Sequence, residues 1–309
     1  MSAMTMSVDL SGELPAVEPT NSQPVVVRVA EPVKEKKMEK TVPLLAGVPF
    51  GEKFNTFLRS ILPPGLGLLI LLGIWYVATL KGGSIPGPGQ TWDAAKVLFA
   101  DPFYRNGPND QGIGWNVLSS LQRVAIGFGF AAAVGIPLGF ILGRSKFLSD
   151  MVNPNISLLR PVSPLAWLPI GLLVFKRADP AATYTIFICS IWPMIMNTAQ
   201  GVQRVPQDYL NVARVLALSE WKVVTKILFP AVLPYMLTGI RLSIGTAWLV
   251  IVAAEMLTGG VGIGFWVWDE WNNLKVEHII IAIFVIGIVG LILEQALILL
   301  AQKLTKESV

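Results

Sequence analysis

Arg123, Arg241, Glu255 and Glu294 lie within or at the ends of runs that are otherwise apolar. An ionisable group inside a membrane costs roughly 2.5–3.5 kcal/mol on insertion scales, so such groups pair with one another or serve a solute's path. Arg241 sits well inside its run. It reads either as an anion-attracting group beside a pathway or as half of a structural pair. Arg123, at the start of its run, reads as a pathway group or an interfacial anchor. Glu255 would repel an anion, so an outer-gate or structural pairing role suits it better than solute contact. Glu294 falls towards the inner end of the last run. Trp248 joins Arg123, Arg241 and Glu255 as the pathway or gate candidates.

Other chemistries lack their residues. One cysteine, Cys189, excludes an internal disulfide, and one histidine, His278, with no Cys/His cluster argues against a metal site. No convergent catalytic set is visible, which argues against an enzyme. No G-x-x-x-x-G-K-[ST] phosphate loop occurs, so ATP hydrolysis by that route is absent from this chain. The glycines at 259, 260, 262 and 264 have no βαβ setting and are no nucleotide fingerprint. They precede Phe265, Trp266, Trp268 and Trp271, and suit a bent segment capping the last two spans at the interface, as an aromatic anchor or a gate.

The elements that must hold these residues follow from composition. Of 309 residues, 53% are hydrophobic and 14% charged, with a mean hydropathy of +0.60, where soluble domains carry roughly 25% charged residues. A membrane helix needs about 20 apolar residues, and six stretches qualify: 62–80, 115–143, 156–175, 183–199, 231–257 and 279–300. The third contains Pro161, Pro164 and Pro169 and is bent or broken; the fourth contains Pro193. Residues 81–114 read as loops around a short helix at 92–99. Residues 1–45 read as a disordered tail, including the charge run at 34–40. Phe50, Phe54, Phe57, Leu58 and Ile61 form a helical stripe, so 46–61 reads as an amphipathic interfacial helix. The membrane domain spans 62–302, and 303–309 form a second tail. With both termini cytoplasmic, sixteen of the 24 Lys/Arg fall in inner segments and six in outer ones, as the positive-inside rule requires. A secondary transporter would often show paired broken helices in an internal repeat, and none is clear.

The segment 207–230, QDYLNVARVLALSEWKVVTKILFP, is the longest charged amphipathic stretch between these runs. Orientation puts it in the cytosol. Pro206 and Asp208 suit a helix start, and Ser219 with Glu220 suits a second start. Pro230 and Pro234 end the second helix. Helix, turn, helix, span is the expected order, with an apolar face that packs on the chain's own spans or docks into a partner.

NVARVLAL…ILFP resembles the E-A-A-x-x-x-G…I-x-L-P loop of the permease subunits of binding-protein-dependent ABC importers. Asn211, Ala217 and Phe229 stand where that pattern has Glu, Gly and Leu, whereas Ala213, Ile227 and Pro230 agree. Ala217 does not enter positive φ freely, which weakens the expected tight turn. SLQRVAIGFGFAAAVGIPLGFILG, RPVSPLAWLPI and AAEMLTGGVGIGFWVWDEWNN are similar to the nitrate/sulfonate/bicarbonate branch, over about residues 60–302.

The resemblance implies an all-α polytopic membrane protein of type I ABC importer permease fold, in the bacterial inner membrane. It implies a homodimer around one pathway, two ABC ATPase subunits that bind ATP and Mg, and an external substrate-binding protein. Membrane lipid is a partner and nucleic acid is not. No cofactor belongs to this chain. The coupling loop, 203–230, would meet the ATPase through Asn211, Val212, Ala213, Arg214, Ala217, Leu218, Ser219 and Glu220. Nitrate with nitrite is the expected solute, and bicarbonate or another small oxyanion such as a sulfonate the alternative.

Overall fold

A computed structural model describes residues 50–80, 82 and 85–307. The tail at 1–45, its charge run at 34–40 and the side chains of the amphipathic stripe at 50–61 lie outside the described residues. The chain divides into a unit of residues 1–60 and a unit of residues 61–309. In the first, helix begins at Phe50 and continues without interruption into the second as α1 (Phe50–Thr79), through Pro63 and Pro64.

The further elements of the second unit are α2 (Pro88–Leu98), α3 (Ile113–Arg144), α4 (Lys146–Leu159), α5 (Pro164–Phe175), α6 (Ala178–Gln203), α7 (Gln207–Val215), α8 (Glu220–Val223), a π-helical turn (Val224–Leu228), α9 (Phe229–Thr258), α10 (Ile263–Asn272) and α11 (Val276–Glu307). Among the described residues the β pairing is one isolated antiparallel bridge, Arg105 with Gln111.

α6 is the centre of the bundle. It packs along α3 on one side and α9 on the other, and α5 leans on it. Its buried residues include Ala181, Ile186, Ser190, Met194 and Thr198. The approach to α3 is close because α3 presents Gly127, Ala131, Gly135, Gly139 and Gly143 at every fourth position, one face of a helix. A Cβ on Gly139 would lie 2.5 Å from Thr198 Cβ, and one on Gly143 2.5 Å from Val202 Cβ. Small residues at this spacing let two backbones approach where no water drives helices together. On the other side, Ser243 Oγ donates to Ser190 O at 2.7 Å, joining α9 to α6.

Among the described residues, four helices can cross a membrane by length and apolarity: residues 62–79, α3, the stretch from α8 through α9, and α11 up to Lys303. A fifth is reached if α4 and α5 count as one span bent by 99°. Length and apolarity alone do not reach the six expected, on two grounds. The 156–175 run is not one helix: α4 stops at Leu159, Pro161 lacks the N–H to continue it, and α5 restarts at Pro164. The 183–199 run does lie within one helix, α6, of 26 residues, but that helix is enclosed by protein and carries Ser and Thr on its buried faces. α1 is the opposite case. Leu66, Leu69, Ile70 and Ile74 are exposed, a surface that calls for apolar surroundings.

Candidate functional site

The bundle has two ends, one carrying α10 and the other α7. At the α10 end the structure brings together residues far apart in sequence. Glu255, near the end of α9, is 1% exposed. One of its oxygens receives Arg123 Nη1 at 2.7 Å, and the other the backbone N–H of Gly264 at 3.0 Å. Ser120 Oγ lies 2.8 and 2.9 Å from the two oxygens, and accepts the N–H of Ile263 at 3.0 Å. Asn116 accepts the N–H of Gly262 at 2.9 Å and donates to Gln111 O and Gly112 O. Arg123 is shared: Nη1 also donates to Val261 O at 2.7 Å, and Nε donates to Asp179 at 2.9 Å. A buried carboxylate is tolerated when its lone pairs are met by donors of this number.

Sequence makes this knot possible at two glycines. A Cβ on Gly262 would sit 2.3 Å from Glu255 Cδ, and one on Gly264 2.1 Å from Val252 O. Before them Gly259 and Gly260 turn the chain with φ of 76° and 93°, a region that favours glycine. The glycine run thus folds α10 back onto α9 and clamps it to α3. Arg123 and Glu255 are one construction, with Asn116 and Ser120 as partners that no charge signal in the sequence marks.

On the exposed side of α9, Arg241 bonds Glu294 of α11, its Nε at 2.8 Å. Trp248 is 3% exposed and donates its indole N–H to Ile286 O at 2.9 Å, against Gly290. It is a core residue between α9 and α11. Its apolar neighbours on both sides in sequence hide this, because α9 is apolar on most faces.

At the α7 end, α7 packs through Ala213, which is 2% exposed, into a cluster with Val202, Val205, Val223, Leu228 and Val232; Leu210 and Leu218 are half-buried beside it. The other face is open. Tyr209, Val212, Val215, Leu216 and Trp221 are exposed, Val215 by 85% and Trp221 by 75%. The turn after α7 is tight despite Ala217. Leu218 N–H reaches Ala213 O and Ala217 N–H reaches Arg214 O, both at 3.0 Å, which is the Schellman pattern with alanine at the left-handed position, φ 47°. A non-glycine residue there costs roughly 1–2 kcal/mol. Ser219 caps α8 through its backbone, Val223 N–H to Ser219 O at 3.0 Å, not through its hydroxyl. Glu220 pairs with Arg144 at the end of α3. α8 then runs through the π turn directly into α9. Pro230 cannot donate to the carbonyl four residues back, and the wider turn absorbs the missing bond. Of the loop residues singled out in sequence, Asn211, Val212, Arg214, Ala217, Ser219 and Glu220 are exposed, whereas Ala213 and Leu218 face the bundle. Tyr209, Val215, Leu216 and Trp221 also lie on the open face, and apolar residues beside charged ones on a short amphipathic helix are their signal.

The open face of α7 and α8 is thus an apolar surface on a short insert at one end of a helical bundle. Residues 135–306 match the family described as "Binding-protein-dependent transport system inner membrane component". This chain belongs to that family.

The permease is 47% identical to the "Nitrate import permease protein NrtB" of Synechocystis sp., over 76% of this chain and 86% of that protein. It is 44% identical to the "Bicarbonate transport system permease protein CmpB" of Synechococcus elongatus, over 79% and 89%. Among solved structures it is similar to a chain of the "MetNI methionine ABC transporter" in an inward-facing conformation, with 15% identity, a TM-score of 0.49, and 63% of this chain and 94% of that one covered. As a permease the chain is an ABC importer's membrane component and not an enzyme; ATP is bound and hydrolysed by separate ATPase subunits.

Proposed function

We propose that this permease imports nitrate, with nitrite, at the expense of ATP. Two copies line one pathway in the bacterial inner membrane, with both termini in the cytoplasm. Two ATPase subunits sit beneath the α7 end, and an external binding protein delivers the anion at the α10 end. The observation that carries the transport reading is the family match together with the exposed face of α7 and α8. Asn211, Val212, Arg214, Ala217, Ser219 and Glu220 contact the ATPase on this reading, with Ala213 and Leu218 backing them from within the bundle. ATPase closure then moves α7, and because α8 continues into α9, the motion enters a membrane helix without a flexible joint. Arg123 and Glu255 hold the outer cap on α3 and α9, and Arg241, already paired, steadies α11.

Nitrate is favoured over bicarbonate by the identity to the two named permeases, 47% against 44%. Bicarbonate is the second reading, because a relative with that name covers as much of the chain. The test is uptake into vesicles holding the assembled complex, with ATP inside and binding protein outside. Labelled nitrate accumulates only with ATP; accumulation of bicarbonate alone reverses the choice of anion.

A further inference from the structure

Three arginines of the bundle and its ends are neutralised by carboxylates. Arg123 has Glu255 and Asp179, Arg241 has Glu294, and Arg144 has Glu220. Arg160, an exposed side chain, has no carboxylate within 4.0 Å among the described residues, and its Nη1 lies 3.9 Å from Met196 Sδ. Its position follows from the break between α4 and α5. Pro161 and Pro164 stop one helix and start the next within four residues, and the 99° bend turns Arg160 against α6. In sequence Arg160 counts as one of the inner-segment charges. In the structure it lines a cavity of about 340 Å³ with Trp192, Asn197 and Gln200 of α6 and Thr246 of α9.

The Arg160 guanidinium has no carboxylate beside it, so its N–H groups are available to a ligand. The other donors are also free. Trp192 Nε1 and the Gln200 amide bond no described residue, and Asn197 uses one of its two amide hydrogens on Pro193 O at 2.8 Å. No acidic side chain lines the cavity. A cation and several N–H groups, without a competing carboxylate, form an anion site, and the flat fork of a guanidinium matches a flat oxyanion.

We propose that Arg160, with Trp192, Asn197 and Gln200, holds the transported planar monovalent oxyanion on its path. The proposal rests on the importer reading above and adds where the anion is bound inside the permease. The site is polar enough to replace part of the anion's hydration, and its single positive charge neutralises it.

The test uses the assembled complex in vesicles, with its ATPase subunits and binding protein, and labelled nitrate and labelled bicarbonate as probes. Arg160→Ala lowers ATP-driven uptake by about tenfold or more, the loss expected for one charge-assisted contact, while ATP hydrolysis stimulated by the binding protein persists. Arg160→Lys restores part of the uptake, because the charge returns without the fork. Trp192→Phe, which removes one N–H and little volume, raises the nitrate concentration for half-maximal uptake by several-fold. Wild-type uptake in Arg160→Ala overturns the site while leaving the importer reading intact. Equal loss of assembly and ATP hydrolysis in the Ala and Lys variants overturns it too, since a charge in contact with the anion would tolerate lysine. A wild-type complex that moves neither anion overturns the importer reading and this site together.

Discussion

Glu255 is an acid buried among apolar residues, and its environment decides what its loss would do. Arg123 donates to it from α3, and Asp179 holds the far side of the same guanidinium. Removing one member of a buried pair costs roughly 3–5 kcal/mol, because the other charge is left unmatched. Arg123→Ala strands Glu255, whereas Glu255→Gln leaves Arg123 with Asp179. The arginine variant is therefore expected to lose more stability, read as a larger drop in unfolding temperature of the purified complex in detergent; equal drops would count against the pairing as drawn. Both residues stand out in sequence as charges in apolar runs. That they meet across 132 positions does not, because nothing local in either run specifies a partner. Asn116 and Ser120 carry no net charge, so their place in the same knot is invisible until α10 folds over them.

The loop between α6 and α9 has its helix starts and its charge written locally, and those features appear as expected at Pro206, Asp208 and Ser219; the expected end at Pro230 does not occur, because the π turn carries α8 on into α9. Its tight turn stands against local preference, with Ala217 at positive φ. Packing of Ala213 and Leu218 into the cluster below outweighs a cost of roughly 1–2 kcal/mol. Tertiary contact, not propensity, decides that turn. Partner docking belongs to this scale. Val215 and Trp221 are largely exposed and touch little of the permease. Val215→Asp or Trp221→Ala is expected to leave the isolated permease folded but to weaken its co-purification with the ATPase subunits, aromatic residues at such positions being frequent anchors. Full co-purification with normal uptake in both variants would move the docking surface elsewhere.

At the scale of the molecule, α3, α6 and α9 form the frame, and the close approach of α3 to α6 is set by the small residues from Gly127 to Gly143. Gly139→Ala places a methyl within 2.5 Å of Thr198 Cβ and 2.9 Å of Ile195 O. Overpacking of this kind costs typically 1–3 kcal/mol. Gly129→Ala, on the same helix with nothing within 4 Å, meets no such clash and removes a helix-weakening glycine. The first is expected to lower the unfolding temperature of the complex and the second to leave it level or raise it slightly. Similar behaviour of the two variants would mean that α3 and α6 are not in this contact in the working transporter.

Sequence alone determined that the chain is helical and membrane-embedded, that it lacks the phosphate loop for hydrolysing ATP, and that one amphipathic loop breaks the apolar pattern. These follow from composition, apolar run length and local turn chemistry, which act over a few residues. Only the tertiary structure decided that Arg123 closes on Glu255, that Trp248 is core, that α6 is enclosed, and that Arg160 faces a polar cavity with no acid beside it. Each of these depends on which faces of separate helices meet. In helices apolar on most sides, the pattern along one chain does not say which face will be inside.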